Sequence, residues 1–235
     1  MTFQTTSHIL MVRPSNFGFN EETAASNAFQ VNDATRSAAL IAAQAVREFD
    51  AFVEKLRSAG VDVIVANDTD QPVKPDAVFP NNWVTFHQDG SIVTYPMFAP
   101  TRRMERREDI IQDIQKRFRA ERKIQLEEFE TVDEFLEGTG SMIIDRQNHL
   151  VYACLSPRTT ANLLTRFCKL MRYEPVAFHA VDGSGQEIYH TNVMMALGET
   201  FVVICMETVR REREANLLRQ KFAETGKEII EISLA

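Results

Sequence analysis

The sequence predicts an α/β fold assembled from repeated ββαβ modules arrayed about an axis. Three observations predict it. A polar tip followed by two short apolar strands occurs three times, as Asn82 with WVTF–HQDG–SIVTY, Ser141 with MIID–RQN–HLVYA, and Asn192 with VMMA–LGE–TFVVI. Asn82, Ser141 and Asn192 stand 59 and 51 residues apart, and a period of roughly 50 residues marks a ring or a solenoid of like units. Each copy is followed by a stretch with apolar residues at helical spacing and then by another short apolar run.

The elements follow in order. Ile9–Val12 reads as a first strand and runs into a Pro/Gly/Asn loop carrying Phe17 and Phe19. Asp33 is the expected N-cap of a helix from Ala34 to Ala59, with Leu40, Ala43, Val46, Phe49, Val53 and Leu56 as its apolar stripe and Gly60 as its stop. Val61–Val65 closes that unit. The next has strands Trp83–Phe86 and Ile92–Tyr95, a helix capped by Thr101 with Ile110, Ile111, Ile114 and Phe118 inward, and a closing strand near Ile124–Phe129. A helix beginning near Pro157 carries Leu163, Leu164, Phe167, Leu170 and Met171; another near Val209–Thr225 precedes Gly226 and the strand Glu228–Ser233.

With 235 residues, 44% of them hydrophobic, and no Gly-, Ser- or Pro-rich linker, the chain reads as one domain over 1–235. A net charge of −7 without a basic stripe argues against nucleic acid as a partner. The start lacks the layout of a signal peptide, and no apolar run approaches the roughly 18 residues of a spanning helix. Cys154, Cys168 and Cys205 sit among apolar neighbours, as buried thiols of a reducing compartment do, so a soluble cytoplasmic protein is expected. His87, His149 and His179 lack ligand spacing, so no metal is expected.

Pro75-Asp76-Ala77-Val78-Phe79-Pro80-Asn81-Asn82, with Ala99-Pro100-Thr101-Arg102-Arg103 after the hairpin, resembles the guanidino-modifying enzymes of the amidinotransferase superfamily, which include arginine deiminase and dimethylarginine dimethylaminohydrolase. The likeness continues through Leu136-Glu137-Gly138-Thr139-Gly140, Ser156-Pro157-Arg158-Thr159 and Tyr189-His190-Thr191-Asn192, and the opening Met11–Asn20 is most like the branch of citrulline-utilisation hydrolases. The resemblance implies a five-module α/β propeller of the pentein type with its site on the axis. It implies a cofactor-free hydrolase of a ureido or guanidino amino acid working through a covalent thio-intermediate, with a deiminase, an amidinotransferase and a ligand-binding remnant as rivals. His190 matches the proton-transferring histidine and Glu137 the acidic residue beside it. Arg102, Arg103 and Arg158 match segments that hold the substrate carboxylate, a task suited to the guanidinium fork, and sequence leaves open which of Arg102 and Arg103 does so.

Where relatives carry an acidic residue for a cationic guanidinium, this chain has Asn82. An amide cannot neutralise a cation, whereas Asn82 and Asn192 can donate to and accept from a neutral ureido group, so a citrulline-like substrate is expected. Phe17 is a candidate cover for the site. The family's nucleophilic cysteine lies in its last module, and none of the three cysteines matches it. Extrapolating the period puts the next polar tip at about residue 246, so the expectation is four of five modules, with the nucleophile beyond residue 235. A small-molecule partner is implied, without nucleic acid or membrane, and a homo-oligomer is left open.

Overall fold

Each sheet among the described residues has two or three strands and a crossover helix of its own. The computed structural model describes residues 3–24, 27, 30–33 and 35–234. Close contacts gather the chain into two compact units, both discontinuous in sequence: residues 6–93 with 99–124, and residues 1–5, 94–98 and 125–235.

In the first unit, β1 (His8–Arg13) lies parallel to β2 (Asp62–Asn67), with His8 opposite Asp62 and Arg13 opposite Asn67. Parallel neighbours need a crossover. It consists of a short helix α1 (Glu21–Ala24) and a long one, α2 (Ala38–Ser58). Its cap is Ser37, whose Oγ accepts from Leu40 N at 3.3 Å, and not Asp33. Asp33 closes its own turn by accepting from the Thr35 backbone and hydroxyl, which removes it as a cap; the expected start at Ala34 lies outside the described residues. The stripe is only half buried: Phe49 and Val53 pack on Val63, whereas Leu40 and Ala43 are exposed. Gly60, at φ +86°, turns the chain out of α2 as the sequence predicts.

A 3-10 turn at Pro80–Asn82 leads into β3 (Val84–Phe86) and β4 (Ser91–Thr94). The helix expected from Thr101 is two, α3 (Pro100–Arg103) and α4 (Glu108–Phe118), separated by an extended Arg107. Ile110, Ile111 and Ile114 face inward and Phe118 is exposed. The closing strand β5 (Arg122–Gln125) ends before Phe129, which belongs to a following 3-10 turn. The sheet order is β3-β4-β5.

The second unit repeats that order twice. Helix α5 (Gly138–Ser141) precedes the antiparallel pair β6 (Ile143–Asp145) and β7 (Leu150–Cys154); α6 (Ala161–Met171) then returns the chain to β8 (Glu174–Phe178), parallel to β7. Next come a 3-10 turn at Thr191–Val193, β9 (Met195–Leu197), β10 (Phe201–Ile204), α7 (Glu212–Glu224) and β11 (Glu228–Glu231). Here β10 pairs antiparallel with β9 and parallel with β11. Helix α6 starts at Ala161 and not near Pro157, because Thr159 is held in bridges to Leu136 and Ser156. Tyr152, Phe178, Ile204, Leu218 and Phe222 form the buried centre of this unit.

The sequence register survives folding at the second strand of each hairpin. Asn82, Ser141 and Asn192 each stand nine residues before the start of β4, β7 and β10 (91 − 82, 150 − 141, 201 − 192). The mixed α/β architecture of small sheets is the predicted one. No helix among the described residues is long and apolar enough to cross a membrane.

Candidate functional site

Two tips of the second unit meet. Gly138 adopts φ +47°, a conformation open to glycine at little cost, so the chain reverses directly after Glu137. The Ser141 hydroxyl accepts from Glu137 N at 2.9 Å and donates to Arg158 O at 2.9 Å, which fixes the start of the turn against the Ser156–Thr159 loop. At the other tip, the Thr191 hydroxyl donates to Ser141 O at 2.5 Å and accepts from Cys154 N at 2.8 Å. These bonds tie the 3-10 turn carrying His190 to α5, and they bring two distant side chains together.

His190 Nε2 lies 2.7 Å from Glu137 Oε2. The carboxylate is wholly buried and the imidazole nearly so. Glu137 Oε1 accepts from Phe98 N at 2.9 Å, and Arg158 Nη1 stands 3.6 Å from Oε2. Buried charge is tolerable only when paired and hydrogen-bonded, and this carboxylate is both. The Arg158 guanidinium lies 4.6 Å from the centre of the Tyr189 ring, which in turn packs against His190 at 4.8 Å. A carboxylate on one ring nitrogen orients the imidazole and stabilises its protonated form, which suits it to give and take a proton.

A second buried cluster lies in the first unit. Arg102 makes a two-pronged pair with Glu105, Nε to Oε1 and Nη2 to Oε2, both at 2.9 Å. Its Nη1 donates to Asn82 Oδ1 at 3.0 Å. Asp76 Oδ2 lies 3.7 Å from Arg102 Nε and accepts from Asn20 Nδ2 at 2.7 Å. All five residues are buried.

The sequence-predicted residues therefore divide. Glu137, His190 and Arg158 come together in the second unit, and Asn82 and Arg102 in the first. Arg103 and Phe17 are half-buried, and Asn192 is exposed at its tip while Thr191 beside it is buried. Ser141, Thr191, Glu105, Asp76 and Asn20 had been given no site role from the sequence. Glu105 had a signal, three residues after Arg102 on one helical turn; Thr191 meets Ser141 and Asn20 meets Asp76 only across 50 and 56 residues.

The cysteines have the character the sequence suggested. Burial pushes the Cys154 thiol up to about 11 and the Cys168 thiol to about 12; burial and then Glu207 raise that of Cys205. Nucleophilic cysteines need the opposite shift. Among the described residues no group of three acidic, histidine or cysteine side chains is placed to hold a metal ion.

Comparison with known proteins bears on the fold. At 15% identity and a TM-score of 0.66, the fold matches unliganded ArgZ, an arginine dihydrolase from the ornithine-ammonia cycle in cyanobacteria, over 95% of this chain and 30% of that one. The chain thus spans under a third of the length of that relative. The N-terminal domain of ArgZ bound to product matches with a TM-score of 0.70 and 16% identity, over 95% of this chain and 75% of that one. A Cys-to-Ser variant of DDAH from Pseudomonas aeruginosa, complexed with citrulline, matches with a TM-score of 0.61 and 16% identity, over 99% and 92%. Such identities speak to the fold alone. Among curated proteins there is no match. The sequence profile described as N,N dimethylarginine dimethylhydrolase, eukaryotic, matches residues 13–235, and the chain belongs to that family.

Proposed function

We propose that this chain is an amidinotransferase-type α/β-propeller domain of a hydrolase that cleaves a C–N bond of a ureido or guanidino amino acid. The preferred substrate is citrulline-like. The observation that carries the reading is the buried Glu137–His190 pair, 2.7 Å apart, in a chain of the dimethylarginine dimethylhydrolase family. In this reading a cysteine thiolate attacks the ureido carbon and His190 gives a proton to the departing amine. His190 then takes a proton from water as the thio-intermediate is hydrolysed. With citrulline and one water the balance closes on ornithine, ammonia and carbon dioxide. Glu137 holds the imidazole and contacts the terminal nitrogens. By the resemblance, Arg103 and Arg158 are the candidates for the substrate carboxylate, Asn82 is the candidate for the ureido group, and Phe17 is a candidate cover. The partner is a small molecule, and the chemistry requires neither metal nor organic cofactor.

Burial raises the Cys154, Cys168 and Cys205 thiols, which suits none of the three to the attack. Support for the covalent route comes from ArgZ, whose N-terminal domain has been captured covalently bonded to a reaction intermediate.

The test is product analysis of the protein isolated from its natural source, supplied separately with citrulline, arginine and dimethylarginine. Ornithine and ammonia from citrulline, with a mass adduct on one cysteine during turnover, are expected. Citrulline from arginine, or a transferred amidine, would replace the hydrolase by one of its rivals. Binding without turnover would leave a ligand-binding remnant, as the three inert thiols would favour.

A further inference from the structure

Resting on that reading, and deepening it, we infer that Arg102 and Glu105 are positioning residues that lock the Asn82 amide with its NH2 group toward the ligand, so that the site selects a ureido oxygen over a guanidinium.

The argument starts from what each group can do. Arginine only donates hydrogen bonds, so the atom of Asn82 facing Arg102 Nη1 at 3.0 Å has to be the carbonyl oxygen. A flip of the amide would set N–H against N–H in a buried place. The arginine itself cannot swing away, because Glu105 grips its Nε and Nη2 at 2.9 Å each and both side chains are almost completely buried. Asp76, at 3.7 Å from Nε, is itself held by Asn20. The rotamer of Asn82 is thereby fixed from behind. Among the described residues none accepts from Asn82 Nδ2, although the residue is 4% exposed. What the cluster presents is a donor without its acceptor.

A guanidinium offers only N–H groups and cannot accept from that donor; a ureido oxygen can. Donor facing donor also leaves both groups desolvated and unpaired, which is how a polar site rejects the wrong isostere. This use of Arg102 differs from the carboxylate clamp that the resemblance implies. It leaves Arg103, half-buried on the same turn, for that task.

The test uses the full-length natural protein and the ratio of citrulline to arginine, as kcat/KM where turnover occurs and as Kd where only binding does. Removing Arg102 alone strands Glu105 as a buried charge, so the variant is the neutral pair Arg102→Gln with Glu105→Gln. Freed to flip, Asn82 discriminates less, and the citrulline-to-arginine ratio should fall by about 10-fold, the worth of one good hydrogen bond. In an Asn82→Ala background the same double substitution should leave the ratio unchanged, because the pair acts only through that amide. An equal fall in both backgrounds, or a loss shared equally by the two ligands, overturns the inference. So does wild-type protein that favours arginine or takes neither ligand. Protein that discriminates in binding without turning citrulline over refutes the hydrolase and leaves the positioning device standing.

Discussion

Glu137 and His190 are 53 residues apart in sequence and 2.7 Å apart in space, and their contact gives the most direct prediction at the scale of single residues. Glu137→Gln keeps the shape of the side chain and the bond from Phe98 N, but it removes the charge that stabilises protonated His190. In the natural full-length protein, kcat for citrulline should drop about 10²–10⁴-fold at a temperature where the variant is folded, the usual worth of proton transfer by a positioned group, with the melting temperature lowered as buried Arg158 loses a charged neighbour. Steady-state rates beside a melting curve decide it, and an unaltered kcat would remove Glu137 from the chemistry. The thiols yield a second prediction. Cys154 and Cys168 are buried and their ionisation is pushed above the ordinary 9.0. Iodoacetamide at pH 8 should label them slowly in native protein and quickly in urea, read by mass spectrometry. The sign for stability follows from the same shift. Below pH 9 both folded and unfolded thiols are protonated and nothing is lost. Between pH 9 and about 11 the unfolded Cys154 ionises first, so stability declines as pH rises through that window.

At the scale of elements, α2 ended where glycine said it would and began where side-chain bonding decided. Gly60 was legible because only a residue without Cβ takes φ +86° cheaply. Gly60→Ala finds open space around the new methyl group, so its cost is conformational alone, about 1–2 kcal/mol in denaturant unfolding. A neutral result there would mean that the turn relaxes. Asp33 misled because Asp caps turns as readily as helices, and its bonds to Thr35 and Arg36 hold its carboxyl at about 2. Thr101 misled likewise: it lies inside the four-residue helix Pro100–Arg103, whose cap position is Ala99, and its hydroxyl donates to Glu22. Periodicity located Ile110, Ile111 and Ile114 but could not see that the chain straightens at Arg107.

For the whole molecule, the second unit is built around one buried cluster in which Tyr152 and Phe222 pack with ring centres 5.1 Å apart. Phe222→Ala should cost about 3–5 kcal/mol, because a wholly buried ring leaves a cavity that two strands and a helix cannot collapse to fill. Equilibrium urea unfolding measures it, and a loss under 1 kcal/mol would show that the site repacks. By itself the sequence determined the ββαβ repeat, the hairpin register, the buried thiols and about half of the residues brought into the two polar clusters. These follow from period, turn chemistry and short motifs, which are local properties. Tertiary structure alone decided the partners: His190 with Glu137, Thr191 with Ser141, Arg102 with Asn82, and Asn192 left exposed. The physical reason is that a buried polar group takes whatever complementary group the fold brings within 3 Å, and at separations of 20 to 53 residues nothing in local sequence encodes which one arrives.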